Sequence, residues 1–106
     1  MNNLQILNLQ NNLLTSEHIH GSIPKQLKEL ILDFNSIQTI NKNFIPKQNS
    51  LEILSLQSNE FILNNSNIFQ YLHKLKQVNL ARNNIQTIPK GKYFIIIYRQ
   101  NISIKE

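Results

Sequence analysis

The side chains with the widest chemical range in this chain are its three histidines. His18 and His20 form an H-x-H pair beside Glu17 that would place two imidazoles on one side of an extended segment, as metal sites do. No third ligand stands at a matching spacing, and the chain has no cysteine to supply a thiolate. His18 and His20 are therefore expected to be polar loop residues, and His73 a residue of a helix surface. The only glycines are Gly21 and Gly91, so no glycine-rich phosphate loop is present, and no nucleophile elbow or kinase signature appears. These residues predict neither enzyme activity nor a metal or cofactor.

The elements that would position any site must come from a single unit, because 106 residues make one domain of ordinary size. Hydrophobic residues are 41% of the chain and charged residues 16%, enough apolar material for a packed core and too little charge for a disordered chain. The segment Met1 to Leu4 carries no charged leader, and the apolar stretch from Phe94 to Tyr98 is far short of a membrane span. With no disulfide framework available, the sequence predicts a cytoplasmic protein without a membrane span.

An internal repeat organises most of the chain. Four segments share the pattern LxxLxLxxNx followed by an apolar residue: Leu4-Leu7-Leu9-Asn12-Leu14, Leu27-Leu30-Leu32-Asn35-Ile37, Leu51-Leu54-Leu56-Asn59-Phe61 and Leu75-Val78-Leu80-Asn83-Ile85. Their asparagines are separated by 23, 24 and 24 residues. Within each motif, positions 4 and 6 lie on one face of a short strand and point inward, while positions 1 and 11 close the core at the strand's two ends. One copy cannot bury these residues alone, so successive copies stack as a parallel sheet. The asparagine sits where the backbone leaves the strand, and its amide can both donate to and accept from main-chain groups that the turn would leave unpaired. Asn12, Asn35, Asn59 and Asn83 are expected to form a buried ladder.

Four registered copies of a five-point pattern resemble the leucine-rich-repeat family, whose repeats run to ~20–29 residues, and the resemblance covers Leu4 to about Pro89. It implies an α/β solenoid, a right-handed curved coil with a parallel sheet on its concave face and short helices or irregular turns on its convex face. The repeat domain spans residues 1–89, with repeats at 4–26, 27–50, 51–74 and 75–89, and residues 90–106 form a degenerate repeat, a C-terminal strand or a tail. Between strands, Ile40, Phe44 and Ile45, and then Ile62, Ile68, Phe69 and Leu72, are expected to supply the outer half of the core. The apolar spacing from Asn67 to Leu75 predicts a short helix. Pro24 and Pro46 favour extended or single-turn connections before the second and third strands, and the connection from Thr15 to Pro24 has the weakest pattern.

The resemblance also implies a protein-interaction module that binds a partner protein or peptide on its concave face. Positions 3, 5 and 7 face solvent there: Ile6, Asn8, Gln10; Glu29, Ile31, Asp33; Ile53, Ser55, Gln57; Gln77, Asn79, Ala81. Ile31 and Ile53, with Ile6 and with Phe34 just past the second strand, are the candidate apolar anchors, and Glu29 and Asp33 add polarity. The net charge of +5 raises nucleic acid as a partner, yet that face carries two acids and no base. Lys25, Lys28, Lys47, Lys74 and Lys76 fall around the strand entries, with Lys90, Lys92 and Arg99 in the tail. They predict a basic rim that is chiefly a solvated border, with a phosphate or acidic-peptide site as the sharper reading. Nucleic acid is therefore the less favoured partner. Two other roles fit the family pattern, a regulatory subunit of a protein phosphatase-1-like enzyme and a spliceosomal-type, nucleic-acid-associated subunit. A receptor ectodomain is disfavoured by the lack of a leader and of cysteine caps. The solenoid ends lack the polar caps that repeat arrays need, which predicts end-to-end association or continuation in a longer chain.

Overall fold

A computed structural model describes residues 3–62 and 68–83. Four three-residue strands, β1 (Ile6–Asn8), β2 (Glu29–Ile31), β3 (Ile53–Ser55) and β4 (Gln77–Asn79), form one parallel sheet in the order β1-β2-β3-β4. Leu7, Leu30, Leu54 and Val78 occupy one row of that register. The strands stay parallel because successive strands are joined by connections long enough to cross the back of the coil and return to the same edge.

The core lies between the sheet and these connections. Leu27, Leu30, Leu32, Ile37, Leu51, Leu54, Leu56, Val78 and Leu80 are fully buried. Each fully buried aliphatic side chain removes enough apolar surface to contribute about 1.5–3 kcal/mol. The first coil is different, since Leu4, Leu7 and Leu9 are only partly buried and pack against the cluster from one side. Ile40, Phe44 and Ile45 fill the outer half of the core behind β2, as Phe69 and Leu72 do ahead of β4. Ile62 departs from expectation at 44% exposed. Its neighbour Phe61 takes the inward position, and the Ile62 backbone N–H pairs with the Gln38 carbonyl at 3.0 Å, turning its side chain out.

The connections are tighter than the sequence predicts. In place of a helix over 67–75, the chain makes one 3-10 turn at Ile68–Tyr71, continued by Leu72 N–H to Phe69 carbonyl at 3.1 Å and Leu75 N–H to Leu72 carbonyl at 3.3 Å. Phe69, Leu72 and Leu75 recur every third residue and are all buried, a period that suits 3-10 rather than α geometry. The connection from Thr15 to Pro24 also contains a 3-10 turn, Ser16–His18. There the Thr15 backbone N–H donates to His18 Nδ1 at 3.0 Å, while Ile19 and Ile23 reach the core. The proposed strand or tail after 89, Ile85, and the tail cations lie outside the described residues.

Candidate functional site

Each strand ends in the same turn, and one backbone feature repeats in it. The residue before the ladder asparagine adopts a left-handed conformation in every coil: Asn11 (φ 60°), Phe34 (φ 57°), Ser58 (φ 57°) and Arg82 (φ 58°). This reversal lets the next side chain point back under the strand.

The asparagine then bonds its own turn and the coil before it. Asn35 Oδ1 accepts the Asn12 and Leu14 backbone N–H groups, both at 2.9 Å, and its Nδ2 donates to Leu32 and Asp33 of its own coil and to Leu9 of the preceding one. Asn59 accepts from Ile37 at 3.0 Å and donates to Leu32, Leu56 and Gln57. Asn83 accepts from Phe61 at 2.7 Å and donates to Leu56, Leu80 and Ala81. These three asparagines are buried. Asn12 departs from the expected ladder: it is exposed and donates only within its own coil, to Leu9 at 2.9 Å and Gln10 at 3.1 Å. The ladder reaches backward, and no coil lies behind Asn12 among the described residues.

The concave face carries the residues at positions 3, 5 and 7. Register places Ile6, Glu29, Ile53 and Gln77 in one row and Asn8, Ile31, Ser55 and Asn79 in the next. Ile6, Ile31 and Ile53 therefore alternate between rows on consecutive strands, forming a diagonal apolar zigzag. Ile31 and Ile53 are half-buried and Ile6 is exposed. A groove of about 620 Å³ runs over β2 to β4, lined by Gln10, Ile31, Asp33, Ile53, Ser55, Gln57, Gln77, Asn79 and Ala81 with the strand residues Leu54 and Val78. Ile6, Asn8, Glu29 and Phe34 lie outside its lining.

Polar groups in this groove are partly committed to one another. Asp33 Oδ1 accepts from Ser55 Oγ at 2.6 Å and from the Gln57 backbone N–H at 2.9 Å, so Asp33 braces the face as well as lending it charge. Asn79 donates to Gln57 Oε1 at 3.1 Å and accepts from the Ala81 N–H, and the groove residue Gln10 donates its backbone N–H to Asn8 Oδ1 just outside the lining. These bonds hold a carboxamide and hydroxyl surface in fixed orientation around the isoleucines.

Phe34 stands at the rim where β2 turns away, 44% exposed. Leu13, past β1 in the preceding coil, is 84% exposed and also left-handed, with φ 55°. None of the described lysines lines the concave groove. Lys25, Lys47 and Lys74 line a separate groove at the strand entries with Gln48, Asn49, Ser50 and His73. Sequence reading did not bring Lys47 and Tyr71 together, yet they stand 24 residues apart, the repeat step itself, and that alignment would have placed them on adjacent coils. His18 is taken up by its turn, and among the described residues no group of three His, Cys, Asp or Glu side chains could hold a metal ion.

A sequential parallel sheet, an inward leucine row and a backward-bonding asparagine ladder define a leucine-rich-repeat solenoid, and the chain belongs to the leucine-rich-repeat family. Residues 25–85 and residues 3–25 each match a family model described as leucine-rich repeat. The chain is similar to leucine-rich repeats and immunoglobulin-like domains protein 1 of Homo sapiens, 31% identical over 91 residues, covering 86% of this chain and 8% of that protein. It is similar to keratocan of Danio rerio, 34% identical over 95 residues, covering 86% of this chain and 26% of that protein. Osteomodulin of Rattus norvegicus is 31% identical over 102 residues, covering 92% of this chain and 23% of that protein. The chain thus spans between 8% and 26% of the length of these relatives. No helix among the described residues is long and apolar enough to cross a membrane.

Proposed function

We propose that this chain is a binding module that takes an extended segment of a partner protein, or a peptide, along its concave groove. The observation that carries the reading is the groove itself: about 620 Å³, with Ile31 and Ile53 half-buried in its wall among pre-bonded amides and hydroxyls. Half-buried isoleucines gain from further desolvation, and fixed polar groups orient a ligand without paying again for their own ordering. The groove's size suits a peptide strand, since a domain-sized partner uses ~20–30 residues on each side. Phe34 extends this surface as an aromatic contact at the strand-exit rim, and Ile6 and Glu29 border it on the first and second strands.

A role as a phosphatase regulatory subunit or a spliceosomal subunit draws no particular support from the geometry. Among the described residues, no lysine or arginine lines the concave groove, so it draws no support as a nucleic-acid site. Similarity to keratocan and osteomodulin lends no support to the cytoplasmic location expected from the lack of a leader and of cysteine.

The test is the double substitution I31E/I53E, read by affinity capture from the source cells and by circular dichroism in parallel. Capture of the wild-type partners should fall by about ten-fold or more, as expected for two charges placed in an apolar contact, while the spectrum stays that of the folded chain. A folded variant that keeps its partners would remove the concave face from the function.

A further inference from the structure

The strand-entry edge carries a second groove of about 450 Å³, on a different face from the concave sheet, lined by Lys25, Lys47, Lys74, His73, Asn49 and Ser50 together with Gln48. Its composition is one-signed, with three lysines and no carboxylate. Its placement follows from the repeat. Lys25, Asn49 and His73 are spaced by 24 residues, the same step that separates Leu27, Leu51 and Leu75, so they occupy one repeat position on three successive coils. Ser50 and Lys74 share the next position, and Lys47 and Tyr71 share another.

The floor of this groove is fixed. Asn49 Nδ2 donates to the Pro46 carbonyl at 2.8 Å and to the Tyr71 carbonyl at 2.9 Å, and its Oδ1 accepts the Leu51 N–H at 3.1 Å. One side chain thereby ties the entry to β3 to the 3-10 turn ahead of β4. Lys47 Nζ stands 5.6 Å from the centre of the Tyr71 ring, a cation–π contact that restrains the ammonium beside the groove. The nearby Lys76 is neutralised by Glu52 at 3.5 Å, whereas Lys25, Lys47 and Lys74 have no carboxylate partner among the described residues. Lysines left unneutralised around a rigid concavity raise the local concentration of anions.

We propose that this groove binds a tetrahedral oxyanion, a phosphate or sulfate group, with Lys25, Lys47 and Lys74 as its ammonium donors and Ser50, Gln48 and His73 as neutral contacts. Lysine suits this ligand because its ammonium acts as a point charge with three rotatable donors that need no planar partner. The groove is near the small end of ligand pockets. It is short for a nucleic-acid backbone, which would need a row of cations extending along further coils.

The test uses amide chemical shifts of the whole chain titrated separately with inorganic phosphate and inorganic sulfate, at constant ionic strength with chloride as the balancing ion. Shifts should concentrate at residues 47–50 and 73–74. In K47Q/K74Q the affinity should drop by about ten-fold, and in the control K28Q/R82Q, which removes the same charge elsewhere, by less than about two-fold. A response to one of the two anions alone supports the proposal and names the source of the group. Equal losses in the two variants, or shifts spread over all lysines, would overturn it by showing only diffuse attraction to net positive charge.

Discussion

At the scale of single residues, Asn35, Asn59 and Asn83 each satisfy main-chain groups that the strand-exit turn would strand in the core. The penalty for losing such a partner is larger than the net worth of the bond, because the abandoned donors remain buried. Asn59→Ala should therefore cost about 1–3 kcal/mol in chemical denaturation, while Asn12→Ala, whose site is open to water, should cost well under half of that. An unchanged midpoint for N59A would deny the ladder its structural role. The motif alone makes these four asparagines equivalent. What distinguishes Asn12 is the absence of a preceding coil among the described residues, and no spacing within a repeat encodes that.

At the scale of the element, the strand-exit turn demands a left-handed residue in every coil. Asparagine accepts that conformation with little penalty, as at Asn11, whereas a bulky side chain is strained there by about 1–2 kcal/mol. Phe34 is the bulkiest of the four occupants, and its ring is 44% exposed, so little burial offsets the strain. Phe34→Asn should raise the melting temperature by a few degrees, corresponding to about 1 kcal/mol, and should weaken partner capture. A lower melting temperature would show instead that the ring's packing outweighs the backbone strain. A costly residue kept at an exposed rim fits a contact role. The sequence marked Phe34 as an apolar residue past the strand, but its backbone conformation arises from the turn and is invisible in residue type.

At the scale of the whole molecule, burial grades along the solenoid. The inward row runs from half-buried Leu7 to fully buried Leu30 and Leu54, because a coil with a described coil on each side is covered from both and the first described coil from one. Nearest-neighbour packing is the main source of stability in repeat arrays. Leu54→Ala should accordingly cost about 2–5 kcal/mol and Leu7→Ala less than half as much, both read from denaturant midpoints. Equal costs would indicate that the first coil is covered in solution, as the expected end-to-end association requires.

The sequence by itself determined the repeat, its parallel sheet, the inward rows and the outward identity of the concave residues. All of these follow from residue spacing against the periods of two within a strand and 23 to 24 between coils. Tertiary structure alone decided the rest: that Asp33 is held by Ser55 and Gln57, that Ile62 turns outward, that the connections tighten into 3-10 turns, and that Lys47 meets Tyr71 beside Asn49. Each of these depends on which side chain of a neighbouring coil arrives within bonding distance. A repeat pattern fixes what every coil shares, and the differences between coils become visible only once they are stacked.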